Sequence, residues 1–285
     1  MSIIQGTAKP TSGDASFYTF PIDQSLRITP NGYLSQSANA GGYDFGLKLV
    51  SGSYPNSPFS FSAWVKRNNL GVRTPIINFC DSTSNNSDFT TFGFEADDTL
   101  RLISKGAGDN IDAVASVYNT TTNIKFRDTS AWYHLVFTVA GKADNYLKIY
   151  VNGTELSVDY DDGSNLSPLQ RVDNGARFIG VQNSNYGSFY IAEFNLVDGI
   201  LLNQNYFGEQ KNNVWSSKAY DGTSSNGSET DYSVASNRAS LVGSIDNIHG
   251  PNGSHLSFAS STFNSSTSKF IDDSSSNNAS DWTVN

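Results

Sequence analysis

The sequence predicts an all-β protein: an antiparallel β-sandwich followed by a loop-rich C-terminal extension. Three observations carry that expectation. Apolar and polar residues alternate in short runs, most clearly at Phe59, Phe61, Ala63 and Val65 and again at Tyr133, Leu135, Phe137 and Val139. Period-two alternation marks a strand with one buried face. Turn residues recur at roughly 8–12-residue spacing, which points to a sandwich or a barrel. The composition agrees: aromatic residues make up 13% and charged residues only 16%. Ser, Asn and Gly, abundant here, loosen helices, whereas aromatic and branched side chains fit a pleated, half-buried surface. A sandwich is favoured because the faces alternate and the longer strands suggest two extended sheets packed face to face.

The elements follow in order. Residues 1–20 are polar and cannot bury enough apolar surface alone, so they are expected to be a docking segment ordered by a partner. "FPIDQSLRITPNGYLSQ" reads as a first strand pair around Pro30-Asn31-Gly32, and a Gly- and Ser-rich piece, "SANAGGYDFG", follows. "PFSFSAWVKRNN" places its apolar stripe on one face and Trp64 on the other, where Trp64 either caps a second layer or stands exposed. "TPIINFCD", "FTTFGFEAD" and "TLRLISKG" give three further short strands. Leu147, Ile149 and Val151 form a stripe that ends at Asn152-Gly153, a pair suited to a type I′ hairpin turn. "ARFIGVQ" and "GSFYIAEFNLVDG" continue the pattern on either side of the polar tip "NSNYG". "ILLNQNYFGEQ" is the best candidate for a short helix or turn. Beyond Trp215 large apolar residues thin out, with local strands expected at "RASLVG" and "SHLSFA". The expected organisation is a docking segment over 1–20, a sandwich over 21–210, and an extension over 211–285 packed on the sandwich or on a neighbour.

Charge and cysteine content exclude several function classes. A net charge of −9 and a pI near 4.7 argue against nucleic acid as a partner, since phosphate binding needs clustered cations. The lone Cys80 rules out an intrachain disulfide framework and reads as a small buried apolar residue. No apolar run approaches bilayer length, so no membrane insertion is expected. The opening "MSIIQGTAKPTSG" has neither the basic nor the apolar region of a secretion signal.

Several segments then become familiar in their order. "SFSAWVKR", "DTSAWYHLVFTVAG", "LKIYVNGTEL" and "RFIGVQNSNYGSFYIAEFNLVDGILL" together resemble the concanavalin A-like lectin and glucanase superfamily, in its laminin-G-like branch, over roughly residues 22–208. That resemblance implies a jelly roll. A narrower likeness, through "IDQSLRI", "WVKRNNLG", "FRDTSAWYHLVF", "AEFNLVDGILLNQNYFGE", "VWSSKAYDG" and "HGPNGSHLSF", is to virion-associated proteins of marine tailed bacteriophages. The match departs where "VWSSKAYDG" runs into a Ser- and Asn-rich segment. It implies a virion protein assembled in the host bacterial cytoplasm, homo-oligomeric and in contact with other capsid or tail proteins. Its sandwich would be displayed on the particle as a tail or head fibre adhering to host-surface glycans. The alternative is capsid decoration, a cement without glycan binding.

Because the superfamily includes glucanases, catalysis must be weighed. Retaining glycosidases need two carboxyl groups about 5 Å apart, one of them protonated. Glu95-Ala96-Asp97 has the spacing but precedes a turn, and Glu193 and Asp198 would point to opposite faces of a regular strand. The histidines, His134, His249 and His255, form no metal-ligand pair in sequence, and no phosphate-cradling loop is present. No catalytic residue and no organic cofactor are expected. Calcium is the one candidate ion, because laminin-G-like domains hold it at the sandwich rim and it takes six or more oxygen ligands. "DYDDGSN" offers Asp159, Asp161 and Asp162; "DGTSSNGSETD" offers Asp221, Glu229 and Asp231. Glycan contacts are expected from Tyr186, Asn183 and Asn185 in the "NSNYG" tip and from Tyr160 beside the acidic loop. The competing reading is that such tyrosines touch neighbouring subunits.

Overall fold

The computed structural model describes residues 22–36, 59–80, 83–84, 89–105, 110–116, 124–139, 147–160, 176–198, 201–221, 249, 253–272 and 281–285. Among these the strands are, in chain order, β1 (Leu26–Ile28), β2 (Leu34–Gln36), β3 (Phe59–Arg67), β4 (Thr74–Cys80), β5 (Phe89–Phe94), β6 (Leu100–Lys105), β7 (Asn110–Ser116), β8 (Tyr133–Val139), β9 (Leu147–Val151) and β10 (Thr154–Tyr160). There follow β11 (Ala176–Ile179), β12 (Val181–Gln182), β13 (Asn185–Tyr186), β14 (Phe189–Asp198), β15 (Gly208–Lys211), β16 (Val214–Ser217), β17 (Ser254–Leu256), β18 (Phe263–Asn264), β19 (Lys269–Phe270) and β20 (Trp282–Val284). The segment "ILLNQNYFGEQ" supplies a single 3-10 turn, Gln204–Tyr206, whose Asn205 N–H donates to the Asn203 side chain at 2.9 Å.

The strands build two antiparallel layers. The first runs β1–β14–β3–β8–β9–β10, with β17 also paired to β14; the second runs β7–β6–β5–β4–β11–β2–β20–β19–β18. One strand joins them. Residues Thr154–Leu156 of β10 pair with β9, and Ser157–Tyr160 pair with β7, so the ladder bends from one layer into the other. The alternating stripes of β3 and β8 meet the inward residues of β4 and β5. Phe59 lies 6.0 Å from Phe79 and 6.2 Å from Phe92, and Phe137 lies 4.7 Å from Phe92, edge to face. All four rings are essentially inaccessible to water. Each such burial contributes roughly 1.5–3 kcal/mol, which is why the interlayer core dominates stability.

Asn152 and Gly153 have φ of 49° and 80°, the left-handed pair that a type I′ turn requires. The turn around Pro30-Asn31-Gly32 also forms, with the Gly32 N–H donating to Thr29 O at 2.9 Å. Its flanking strands, however, do not pair with each other as the sequence suggests. β1 joins β14 in the first layer, and β2 joins β11 and β20 in the second. The chain crosses the sandwich edge there, because Ile28 and Leu34 are both buried in the common core from opposite layers.

The C-terminal region contributes strands as well as loops. "SHLSFA" yields β17 on β14, while "RASLVG" lies outside the described residues. β20 sits between β2 and β19, and its Trp282 is fully buried, 5.5 Å from Phe194 and edge-on to it.

Candidate functional site

The "NSNYG" tip is a tight two-residue turn. Asn183 and Ser184 both take left-handed backbone (φ 48° and 58°), and the Asn185 amide donates back to Gln182 O and Asn183 O at 3.1 and 3.2 Å. The Ser184 N–H donates to Thr83 O at 3.0 Å, tying the tip to a neighbouring loop. Tyr186 packs against Tyr33, with ring centroids 6.2 Å apart, above a cluster of Cys80, Phe89, Phe178 and Val181 on the outer face of the second layer. Both tyrosines are half-buried, so each ring is partly packed and partly open to solvent. Sequence spacing gave no sign of Tyr33, which comes from a segment about 150 residues away.

Tyr160 and Asp159 lie elsewhere. Both belong to β10, whose Asp159 and Tyr160 stand opposite Val114 and Ala113 of β7. Three strands separate β10 from β4, on which the tip rests, a span of about 20 Å at the usual strand spacing. Asp161, Asp162, Glu229 and Asp231 lie outside the described residues. Among the described residues, no three His, Cys, Asp or Glu side chains converge in a way that would hold a metal ion.

The acidic turn between β5 and β6 is occupied by cations. Asp98, itself left-handed at φ 68°, accepts from the Gly71 N–H at 2.9 Å, Arg127 Nε at 2.9 Å and the buried Arg67 at 3.1 Å. Arg67 plugs the end of the interlayer core. Its guanidinium lies 4.5 Å from the Phe94 ring centroid and donates to Phe126 O at 2.6 Å. Burial lowers the Arg67 pKa, and the Asp98 charge opposes that shift. Asp97 accepts from Lys125 at 2.8 Å and from the Thr99 hydroxyl at 2.6 Å, with Arg101 at 3.4 Å. Partial burial pushes the Asp97 and Asp98 carboxyls up, but these hydrogen bonds and charges outweigh it and hold both below the ordinary carboxylate range. Glu95 pairs with Arg73 at 2.9 Å. A glycosidase acid must instead be raised so that it carries a proton at working pH. The turn is arranged the opposite way.

Glu193 has a role the sequence only outlined. A β-bulge interrupts β14 between Ala192 and Asn195, and Glu193 takes φ 46° within it. The strand is therefore not regular there, and the alternation used to place Glu193 against Asp198 does not apply. Its carboxylate sits 3.2 Å from His255 Nε2, while His255 stacks on His249 at 5.6 Å and 14°.

Trp64 proves to cap a second layer of packing. It stacks on His134 at 4.8 Å on the outer face of the first layer, beneath the β15–β16 ribbon. Trp215 of that ribbon donates its indole N–H to His134 Nδ1 at 2.9 Å. An indole nitrogen can only donate, so Nδ1 is the acceptor; the neutral ring then carries its proton on Nε2 and donates to Ser62 Oγ at 2.9 Å. Burial lowers the His134 pKa to about 3, which keeps the ring neutral. Gly153 and Gly208 press on the Trp215 ring, and a Cβ at either would collide with it. The Val-Asn-Gly signature thus supplies both a turn and a seat for Trp215.

The architecture is that of a lectin-like jelly roll: two antiparallel layers, an aromatic interlayer core, and outer faces carrying tyrosine, asparagine and cations. A family model described as the concanavalin A-like lectin/glucanases superfamily (Laminin_G_3) matches residues 41–205, more than half of the chain, and the chain belongs to that superfamily. No curated protein matches its sequence. Among solved structures, a candidate carbohydrate binding protein from Bacteroides ovatus matches with TM-score 0.47 and 12% identity over 92% of this chain and 58% of that longer one. Domain 4 of AbnA, an arabinanase from Geobacillus stearothermophilus in complex with arabinotriose, matches with TM-score 0.38 and 21% identity over 60% of this chain and 84% of that domain. The heptameric SAP-like pentraxin of Limulus polyphemus matches with TM-score 0.36 and 16% identity over 60% of this chain and 77% of that one.

Proposed function

We propose that this chain is a non-catalytic, lectin-like sandwich displayed on the surface of a tailed-bacteriophage particle, where it adheres to host-surface glycans. Superfamily membership supports a carbohydrate-binding reading, and the resemblance of several short segments to virion-associated proteins is the ground for placing it on a particle. The observation that carries adhesion is the half-buried Tyr33–Tyr186 pair, packed together and partly open to solvent, beside a tip made rigid by Asn183 and Asn185. Rigid tyrosines give a sugar ring a stacking surface at small entropic cost. Partners on the particle are other capsid or tail proteins and further copies of this chain. The acidic run Asp159–Asp162 is the proposed calcium position, tested by a calcium-dependent rise in melting temperature that EDTA reverses.

A glycan array tests adhesion. The wild type binds a defined set of glycans, and Tyr33→Ala or Tyr186→Ala removes that binding while the far-ultraviolet spectrum stays the same. Binding unchanged in both variants overturns the site.

One observation favours capsid decoration as a second reading. Among the described residues, Phe263, Ile271 and Val284 are three of the few large apolar side chains left exposed; Phe263 lies in β18, Val284 in β20 and Ile271 directly after β19, at one end of the second layer. Decoration predicts co-purification with empty heads and heads that break more easily when the protein is deleted.

A further inference from the structure

The outer face of the first layer carries a short row of side chains that the aromatic tip does not involve. Arg27 of β1 stands opposite Tyr190 of β14, and Tyr190 stands opposite Lys66 of β3. Their sequence neighbours Ile28, Phe189, Ile191 and Val65 are core residues, so all three side chains of the row project outward. The Arg27 guanidinium carbon is 5.9 Å from the Tyr190 ring centroid, and the Trp132 ring is 6.4 Å from it at 58°. Two ladder spacings place Arg27 and Lys66 about 10 Å apart, one on each side of the tyrosine. Arg27 is exposed, and Lys66 and Tyr190 are half-buried.

These two cations meet no carboxylate among the described residues. The protein carries a net charge of −9 and ties Arg67, Arg73, Arg101, Lys125, Arg127, Lys148 and Lys211 into ion pairs, whereas Arg27 and Lys66, like Lys105 and Lys269, stand outside them. Beyond the weak cation–π contact of Arg27 with Tyr190, these two like charges add little to folding. They do match a ligand that is flat enough to stack on tyrosine and carries an anionic group at its edge. A guanidinium offers a carboxylate or sulfate a paired set of donors, and an ammonium adds a point charge. Nucleic acid fits poorly, because two cations on an acidic protein neutralise too few phosphates.

We infer that the Arg27–Tyr190–Lys66 row binds acidic sugars, uronate or sulfated, within a polysaccharide. The site is separate from the Tyr33–Tyr186 tip and shares with the proposed function only the general class of ligand. Affinity electrophoresis of the full chain in gels containing alginate, dextran sulfate or uncharged dextran tests it. Retardation by alginate or dextran sulfate is expected, weakening as salt is raised, and uncharged dextran should not compete. R27Q/K66Q should lose about tenfold or more in affinity for the acidic polymers with an unchanged melting temperature. Tyr190→Leu should lose several-fold. K148Q/K211Q makes the same change in net charge away from the row and should bind like the wild type. The proposal is overturned if neither acidic polymer retards the wild type, if R27Q/K66Q is retarded equally, or if K148Q/K211Q loses as much. Tyr33→Ala and Tyr186→Ala should leave acidic-polymer binding intact, so failure at the tip and failure at the row give different patterns.

Discussion

Two groups of cations in this protein are used in opposite ways. At the β5–β6 turn, Asp97 and Asp98 are each shared by two cations, and the innermost guanidinium, Arg67, is wholly buried. On the outer face of the first layer, Arg27 and Lys66 flank Tyr190 and meet no carboxylate among the described residues. The first group closes the end of a sandwich. The second has no carboxylate partner among the described residues to lose, only the contact of Arg27 with the Tyr190 ring. Charge that holds this fold is paired with carboxylates, whereas charge available to a ligand is not.

Mutations can break that contrast or sharpen it. The largest effect is expected from Asp98→Ala, which leaves the Arg67 charge buried and unpaired. The cost is roughly 3–5 kcal/mol, measurable by chemical denaturation. Acidification should come next. His134 has a folded pKa of about 3 against an ordinary 6.5, so below pH 6.5 the unfolded chain takes up a proton that the folded chain refuses. Stability is then lost progressively as pH falls from 6.5 toward 3. Asp98, held below its ordinary 3.8, adds stability that is present above that value and is lost as pH falls through its folded pKa. Melting curves recorded from pH 7 to pH 4 should therefore slope downward. His134→Gln, which can still accept from Trp215 and donate to Ser62, should flatten that slope. Lys125→Gln removes a partly exposed pair with Asp97, and a loss of about 0.2–1 kcal/mol is expected. Smallest of all, R27Q/K66Q should leave stability within about 0.5 kcal/mol of wild type. A large loss there would erase the distinction between the two groups.

Much of the sandwich was legible in the sequence because its strands carry their own signal. The stripes of β3 and β8 and the Asn152-Gly153 turn needed only local rules. The turn at Pro30-Asn31-Gly32 was legible as a turn, but a local signal cannot say which sheet each flank will join; Ile28 and Leu34 are decided by a core built later in the chain. β17 was expected at "SHLSFA", whereas β20 is three residues long, too short for alternation to mark, and Trp282 gave no hint that it fills the interlayer space. The inward position of Arg67, two residues past Val65 on the apolar face of β3, breaks the pattern at the point where the core ends. Of the tip, Tyr186 with Asn183 and Asn185 could be read directly, whereas Tyr33 and the Arg27–Tyr190–Lys66 row are assembled across strands that only pairing brings together.

The position of β20 has a consequence for how the protein is made. It lies inside the second layer, hydrogen-bonded to β2, and Asn285 exchanges main-chain bonds with Tyr33. A nascent chain emerging from the ribosome must wait for residues 281–285 before Trp282 can fill the space beside Phe194. Until then β2 offers a bare edge to any other growing strand nearby. A chain cut before Asp281 would therefore yield an open, adhesive sheet in place of a slightly shorter sound one, so the second layer closes only once this late strand has been made.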